Sequence, residues 1–382
     1  MRTAHRIMST LLALACASCT TAPDGRRVDP PTVRATAVAP ESLGLPDTLR
    51  IDAALQMSTD RQPWSYGPRG GVRYVAFGVA PPGADPSTGE QAADQFGRYA
   101  VVDLSTRVVT TGQTARRGAY SQANAVFPHA GSEYLIRVET WPEVDPATAC
   151  PDNPQYCWSW AVYVRRLPDG AEAELERSSA PGLQFLFPKP VVASDAVYWQ
   201  STGSRRSSLA SWRPDRGITR LGGDDVPPGN LTVAADAWIG TPPRFDDKLV
   251  KVPVDESRPQ TIDLPKHSSN AAVRGDRFAY RQELPEDGVQ LMLGDLAHPT
   301  TATALRRLQD IYRLDWADDD TVVVLTPQGR QLIRSNGSAT ALPVDAKSGL
   351  NVDNGKLAFM AGSGPNQILV VAHLVAATGT PR

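Results

Sequence analysis

The chain has 382 residues, of which 41% are hydrophobic, and 39 Lys and Arg stand against 41 Asp and Glu. The formal net charge of −2 gives no long-range field that would attract nucleic acid or an anionic membrane, so we expect no nucleic-acid partner. The 33 Pro and 30 Gly indicate many turns, and the apolar fraction is large enough for a packed core.

The N-terminus has the pattern of an export signal. Arg2, His5 and Arg6 form a basic segment, residues 7–15 are apolar apart from one Ser and one Thr, and small residues precede Cys19. The apolar run is shorter than the about 20 residues that a membrane-spanning helix needs. We therefore expect the chain to leave the cytoplasm without a transmembrane helix.

This segment resembles a bacterial lipoprotein signal, in which the cysteine after a small residue is acylated and becomes the mature N-terminus. The resemblance implies a signal peptide over residues 1–18, lipidation at Cys19, and a location on the outer side of the cytoplasmic membrane, with the lipid as the only membrane contact. Acylation at Cys16, which also follows a small residue, is one alternative. Simple cleavage of the signal, followed by secretion, is the other.

The rest of the chain divides into three parts by composition. Residues 19–46 are rich in Pro, Thr, Ala, Asp and Arg without apolar periodicity, which predicts a flexible tether. Residues 47–375 contain no second low-complexity segment and are predicted to form one domain, followed by a C-terminal tail over 376–382.

A polar or glycine turn pair followed by a short β-favouring run recurs along this domain. The second turn residue of each copy is Gly71, Ser132, Asp195, Asp236, Asp276, Asp320 or Gly355. The later copies lie mostly about 40 to 45 residues apart, which is the period of β-propeller blades. The sequence therefore predicts a repeat protein built from four-stranded blades.

The third repeat shows the four strands most plainly. Strands are predicted at 191–194, 196–200, 208–212 and 218–221, with tight turns of Asp, Gly and Pro between the first and second and between the third and fourth. No helical period of useful length occurs in the chain. The predicted fold class is therefore all-β.

The two ends of the domain complement each other. The last repeat has predicted strands at 350–353, 356–360 and 367–374 but no clear fourth, and the alternating segment 48–56 precedes the first repeat without a blade of its own. An N-terminal strand in the last blade would close the ring and remove its open edges, which makes seven blades. On this repeat pattern the domain resembles bacterial seven-bladed β-propellers of the TolB-like kind. Their Asp-Gly-x-aromatic signatures are degraded here, so no functional residue is carried over.

The sequence contains none of the common catalytic motifs. It lacks the Gly-x-Ser-x-Gly nucleophile motif, the His-Glu-x-x-His zinc motif, the phosphate-binding loop and the dinucleotide fingerprint, so no catalytic residue and no cofactor is predicted. The histidines beyond the signal are isolated from one another. Carboxylates cluster at 224–225, 246–247, 283–287 and 318–320, where calcium could bind, but Asp and Glu are also common in solvated turns, and no metal site is predicted.

Two cysteines lie in the middle of the chain. Cys150 and Cys157 enclose a short turn-forming segment, and in an exported protein such a pair indicates a disulfide. A two-cysteine set of metal ligands is the alternative, although no other Cys or His lies nearby to complete four-coordination. Because the loop is short, its closure is expected to shape that loop rather than the whole fold.

Long loops provide the main functional indication. The predicted connections between second and third strands are long at about 80–96, 140–157, 201–207, 240–247, 281–288 and 361–366, and in a propeller they emerge at the same end as the links between blades. We call this end the loop face, and it is the candidate binding surface because loops on a rigid scaffold often carry recognition. The candidate residues are Trp141, Asp145, Tyr156, Arg205, Arg206, Phe245, Asp246, Asp247, Arg281 and Glu283.

Two functions from different classes fit this sequence. The first is a non-enzymatic binding or scaffold propeller that recognises an unknown protein or cell-wall ligand through the loop face. The alternative is a propeller enzyme, a carboxylate- or calcium-dependent hydrolase or lyase with a site at the mouth of the central channel. Convergence of three or more acidic or His side chains at that mouth would favour the enzyme.

Overall fold

A computed structural model describes most of the second of two compact units, residues 1–30 and 31–382. The described residues are 33–56, 63–79, 98–116, 119–143, 146–150, 157–178, 187–193, 195–202, 207–221, 230–233, 237–241, 248–253, 260–342, 350–353, 356–361 and 368–375. The signal region with Cys16 and Cys19, tether residues 19–32 and the tail over 376–382 therefore lie outside the described residues.

The described chain is built almost entirely of β-strands. The first fifteen strands are β1 (Val33–Arg34), β2 (Thr36–Ala37), β3 (Leu49–Gln56), β4 (Pro63–Gly70), β5 (Tyr74–Val79), β6 (Arg98–Asp103), β7 (Val108–Gln113), β8 (Tyr120–His129), β9 (Ser132–Pro142), β10 (Trp158–Arg166), β11 (Glu172–Arg177), β12 (Val191–Val192), β13 (Val197–Thr202), β14 (Ser207–Arg213) and β15 (Gly217–Leu221). The other fifteen are β16 (Asn230–Val233), β17 (Ala237–Thr241), β18 (Lys248–Pro253), β19 (Gln260–Asp263), β20 (Ser268–Arg274), β21 (Arg277–Glu283), β22 (Val289–Asp295), β23 (His298–Leu308), β24 (Arg313–Trp316), β25 (Thr321–Thr326), β26 (Gly329–Arg334), β27 (Ala339–Leu342), β28 (Leu350–Asp353), β29 (Lys356–Ala361) and β30 (Ile368–Leu374). A 3₁₀ turn at Pro40–Leu43 and one helical turn, α1 (Pro146–Ala149), are the helical elements within the described ranges.

These strands form seven antiparallel sheets, which we number I to VII. Their strand orders are β1-β7-β6-β5-β4 (I), β11-β10-β9-β8 (II), β12-β13-β14-β15 (III), β16-β17-β18-β19 (IV), β20-β21-β22-β23 (V), β24-β25-β26-β27 (VI) and β2-β3-β30-β29-β28 (VII). The all-β class is confirmed, and the four strands of sheet III lie where the third repeat predicted them. Apolar residues at alternate positions explain why these segments form strands, since Val197 and Trp199 are buried on one face of β13.

Apolar clusters join most neighbouring sheets along the chain. Sheets I and II share a cluster with Tyr99 and Leu135, sheets II and III one with Trp160 and Trp199, sheets IV and V one with Ile239 and Phe278, sheets V and VI one with Leu291 and Val322, and sheets VI and VII one with Leu332 and Phe359. Between sheets III and IV the first strands are in contact. Sheet VII also packs on sheet I, where Leu369 and Val371 meet Phe77 and Val102.

The N-terminal strand pairs with the last strand of the domain. In sheet VII, β3 lies antiparallel to β30, with Leu49 opposite Leu374 and Gln56 opposite Ile368. This confirms the predicted pairing of 48–56 beside 367–374. Lys356 of the same sheet donates a hydrogen bond from Nζ to the carbonyl oxygen of Gly71 at 2.6 Å, which adds a polar link to sheet I.

The structure differs from the sequence expectation at residues 33–46, the described part of the predicted flexible tether over 19–46. Val33–Arg34 adds a strand to the outer edge of sheet I, Thr36–Ala37 adds one to sheet VII, and Ala35 between them is only 4% exposed within the apolar cluster that joins the two sheets. The amide of Ala35 donates to the carbonyl of Arg107 at 2.8 Å. We call residues 33–37 the strap. Its two-residue strands are too short to show a period, so composition alone suggested a tether.

The strap gives the first testable prediction. The change Ala35→Asp places an unpaired carboxylate in the cluster between sheets I and VII, and we expect it to lower the free energy of unfolding by about 3 kcal/mol. The matched change Thr36→Asp, one residue further on at an exposed position, is expected to cost less than about 1 kcal/mol. Urea unfolding followed by tryptophan fluorescence measures both. Equal midpoints for the two variants would show that the strap does not pack as described.

Candidate functional site

The two ends of the sheets differ in what they carry. In sheet V, β20 begins at Ser268 and pairs with the end of β21, so the loop from β21 to β22 and the link into β20 lie at one end. This end is the loop face of the sequence analysis. The turns between first and second strands, such as the one at Gly275, lie at the opposite end, which we call the turn face.

Two predicted residues, Arg281 and Glu283, meet at the loop face between sheets V and VI. The Nε of Arg281 donates to Asp310 Oδ1 at 3.0 Å, and Nη1 donates to Glu283 Oε1 at 3.0 Å and to Ser269 Oγ at 3.1 Å. Burial alone would lower the pKa of Arg281, but the hydrogen bonds to Glu283 and Asp310 outweigh it and raise that pKa. Arg281 is therefore a fixed cation that ties sheet V to the link before sheet VI.

That link is held by further hydrogen bonds and carries an exposed aromatic ring. Asn270 adopts a positive φ of 49° and donates from Nδ2 to the carbonyl of Ile311 at 2.9 Å, while the amide of Ile311 donates to Asp310 Oδ1 at 2.7 Å. The amide of Tyr312 donates to the carbonyl of Leu325 at 2.8 Å, yet the residue is 58% exposed. Tyr312 is thus displayed on a backbone that is fixed on both sides.

Trp141 lies at the loop face of sheet II and is covered by its neighbours. The residue is 3% exposed, and the guanidinium carbons of Arg116 and Arg177 lie 4.6 and 5.5 Å from its ring centroid. Within the described ranges no contact joins Trp141 to the Arg281 and Glu283 pair. The other predicted residues, Asp145, Tyr156, Arg205, Arg206, Phe245, Asp246 and Asp247, lie outside the described residues, so their role stays a prediction.

The disulfide predicted from the cysteine spacing is present beside Trp141. Cys150 and Cys157 are bonded, with their Cα atoms 5.6 Å apart. Cys150 follows the helical turn α1 within the loop between the second and third strands of sheet II, and Cys157 directly precedes β10, so the bond joins the middle of that loop to its C-terminal end. This is a loop-face connection, and its covalent closure holds the end of α1 next to the start of β10.

A charged network inside the sheets positions this part of the loop face. Arg137 and Glu139 on β9 are completely buried and ion-paired with each other, and Arg137 Nη2 also donates to Glu172 Oε1 at 2.7 Å. Glu139 Oε1 accepts a hydrogen bond from the amide of Ala115 at 2.6 Å, in the link from sheet I to sheet II. The guanidinium of Arg137 lies 4.6 Å from the ring centroid of Tyr99 in sheet I.

The electrostatics of the network follow from its pairing. Burial alone would lower the pKa of Arg137, but the charges of Glu139 and Glu172 outweigh burial and raise it. An unpaired charge at this depth would be strongly destabilising, so each partner depends on the others. The network therefore locks the link between sheets I and II in the same way that Arg281 locks the link between sheets V and VI.

Within the described part of the chain, no helix is long and apolar enough to cross a membrane. Over the same residues, no group of three or more His, Cys, Asp or Glu side chains is placed to hold a metal ion.

Comparison with known proteins identifies the class of fold. The sequence matches no protein-family model and no curated protein. The β-propeller domain of the trilobed protease from Pyrococcus furiosus superposes with a TM-score of 0.51 at 7% identity, over 83% of this chain and 99% of that domain. This similarity shows a β-propeller fold, and at such low identity it shows the fold alone.

Other propeller structures are similar at lower scores. TolB from Acinetobacter baumannii has a TM-score of 0.42 at 11% identity, over 78% of this chain and 63% of TolB. A gluconolactonase from Xanthomonas campestris has a TM-score of 0.39 at 14% identity, over 94% of this chain and all of that protein. The chain thus spans less than two thirds of TolB, and these similarities leave function to be argued from the chain's own residues.

Proposed function

We propose that this protein is an exported, lipid-anchored, seven-bladed β-propeller of the TolB-like kind that binds a protein or cell-wall ligand through its loop face without catalysing a reaction. The blade number is supported by seven sheets that pack in chain order, with sheet VII packed on sheet I. Ring closure is supported by β3, the N-terminal strand within sheet VII. Each sheet is one blade in this arrangement.

The main observation that supports the binding role is the solvent exposure of Tyr312. Its ring stands in solvent on a link whose backbone is fixed by Asn270 and Asp310, so binding would restrict little further motion of the chain. Tyr and Arg are the side chains most often found at the energetic centre of an interface, and Arg281 with Glu283 lies on the strand beside this link. A rigid loop surface with an exposed ring and paired charges suits a protein or polymer surface.

The anchor is the second part of the proposal. With Cys19 acylated, residues 19–32 would connect the lipid to the strap, which begins at Val33. A flexible segment of this length spans about 20 Å in root-mean-square distance. Stable retention requires more than one acyl chain, which the lipoprotein signals that the N-terminus resembles provide. The propeller would then work within a short distance of a membrane surface.

Site-specific photocrosslinking in cells tests the binding face. A benzoylphenylalanine in place of Tyr312 is expected to give a discrete crosslinked product, because this position would lie in the interface. The same residue in place of Ile218, which is 37% exposed on the outer strand β15, is the matched control and is expected to give none. Equal products at both positions, or none at position 312, would contradict binding at this face.

Fractionation of cells tests the anchor. We expect the unchanged protein in the membrane fraction and the Cys19→Ala variant outside it, because the acylated residue is lost. If Cys16→Ala releases the protein and Cys19→Ala does not, Cys16 is the acylated residue. If the unchanged protein is found in the medium, the protein is secreted and the lipoprotein proposal is wrong.

A further inference from the structure

A cleft at the turn face between sheets I and II is separate from the loop face. It has a volume of about 500 Å³ and is formed by three turns, at residues 71–73, 130–131 and 166–168. Its lining includes Val72, Arg73, Pro128, His129, Arg166 and Pro168. Sequence reasoning did not find this cleft, because the lining residues come from three separate short turns.

Glu133 fixes the shape of the cleft. Its carboxylate accepts hydrogen bonds from the amides of Arg73 at 2.6 Å and Tyr74 at 2.9 Å, and its own carbonyl accepts one from the amide of Leu167 at 2.8 Å. One residue therefore holds the turn of sheet I and the last turn of sheet II in place. A Cβ added at Gly71 would lie 2.5 Å from Glu133 Oε2, so only glycine allows this approach.

Within the described residues, Arg166 is the exposed charged side chain of the cleft that has no ion pair. Arg73 is neutralised by two hydrogen bonds to Asp103, at 2.5 and 3.0 Å, and the Glu133 carboxylate is occupied by backbone amides. His129 Nε2 lies 3.7 Å from Asp215. Asp169, on the same turn as Arg166, does not line the cleft, but its charge acts on Tyr74 in the cleft wall. Arg166 is thus a guanidinium available to an anion.

The rim of the cleft is apolar. Val72 is 75% exposed, more than any other large hydrophobic residue of the described chain, and Pro128 and Pro168 are exposed beside it. Val72 and the two prolines together form an apolar surface beside the cavity, which another molecule could cover. A small inorganic anion would contact Arg166 and leave this rim in water, whereas a peptide would use both.

We propose that this cleft binds an acidic segment of another protein, with a carboxylate on Arg166 and a neighbouring aliphatic side chain on Val72 and the two prolines. Guanidinium groups hold carboxylates through paired hydrogen bonds, and the aliphatic contact gives the apolar rim a partner. The turns are fixed before binding, so little conformational entropy is lost in them. The site is independent of the loop face, and the protein would bind two partners at opposite ends.

Fluorescence anisotropy on the purified full chain tests the site. The probe is a labelled peptide, Ser-Glu-Val-Asp-Leu-Glu-Ser, and the control peptide has Lys at each acidic position. We expect saturable binding of the acidic peptide alone, weakened at least about tenfold by Arg166→Glu or by Val72→Asp. The matched variant Arg216→Glu, at a 69% exposed arginine on the turn face of sheet III, is expected to bind as the unchanged protein does.

Several results would overturn the proposal. These are absence of binding, equal binding of the two peptides, or full binding by Arg166→Glu with an unchanged thermal midpoint. Displacement of the peptide by millimolar inorganic phosphate would identify a simple anion pocket instead. Binding of phosphatidylglycerol vesicles through Arg166 without peptide binding would identify a membrane contact. None of these results bears on the Tyr312 crosslink, so the two sites are tested separately.

Discussion

The pairing of β3 with β30 is the interaction on which the rest of the structure depends. These strands come from opposite ends of the domain. The sheet that they share therefore brings the two ends of the domain together. Without β3, the buried residues Leu369 and Val371 of β30 would stand at an open sheet edge, where another chain could pair. The strap then adds an outer strand to sheet I and another to sheet VII, beside the cluster that joins these two sheets.

Buried charges have a positioning role in this fold. Glu133, Glu139 and Arg281 each bind a turn or a link of a neighbouring sheet, and each is hydrogen-bonded there, so the burial of its charge is compensated. Apolar packing holds the sheets together but does not fix where a loop backbone lies. Directional hydrogen bonds do, and they leave Tyr312 at one face and Val72 at the other exposed on fixed backbone. The proposed binding residues Tyr312 and Val72 are therefore exposed side chains on backbone segments that hydrogen bonds hold in place.

The sequence predicted the elements that carry a regular signal. Alternation around Trp199 and the turn pairs gave the hairpins of each sheet, and the incomplete last repeat gave the pairing of β3 with β30. The strap was missed because two-residue strands have no period. Asp310 and Tyr312 were missed because their relation to Arg281 depends on folding across two sheets. The buried network could have been predicted from one feature of the sequence. In β9, Glu133, Arg137 and Glu139 lie on the same face of an otherwise apolar strand, which indicates charged side chains between two sheets.

Hydrogen exchange of the native full chain tests the central claim most directly, which is that the N-terminal strand is part of the last sheet. Alternate backbone amides of β3 face β30 and donate to its carbonyls, so peptides covering 49–56 should retain slowly exchanging amides that open together with those of peptides covering 368–374. Rapid exchange over 49–56 with slow exchange over 368–374 would show that β3 is not held in the sheet. Ring closure and the seven-bladed arrangement built on it would then be wrong.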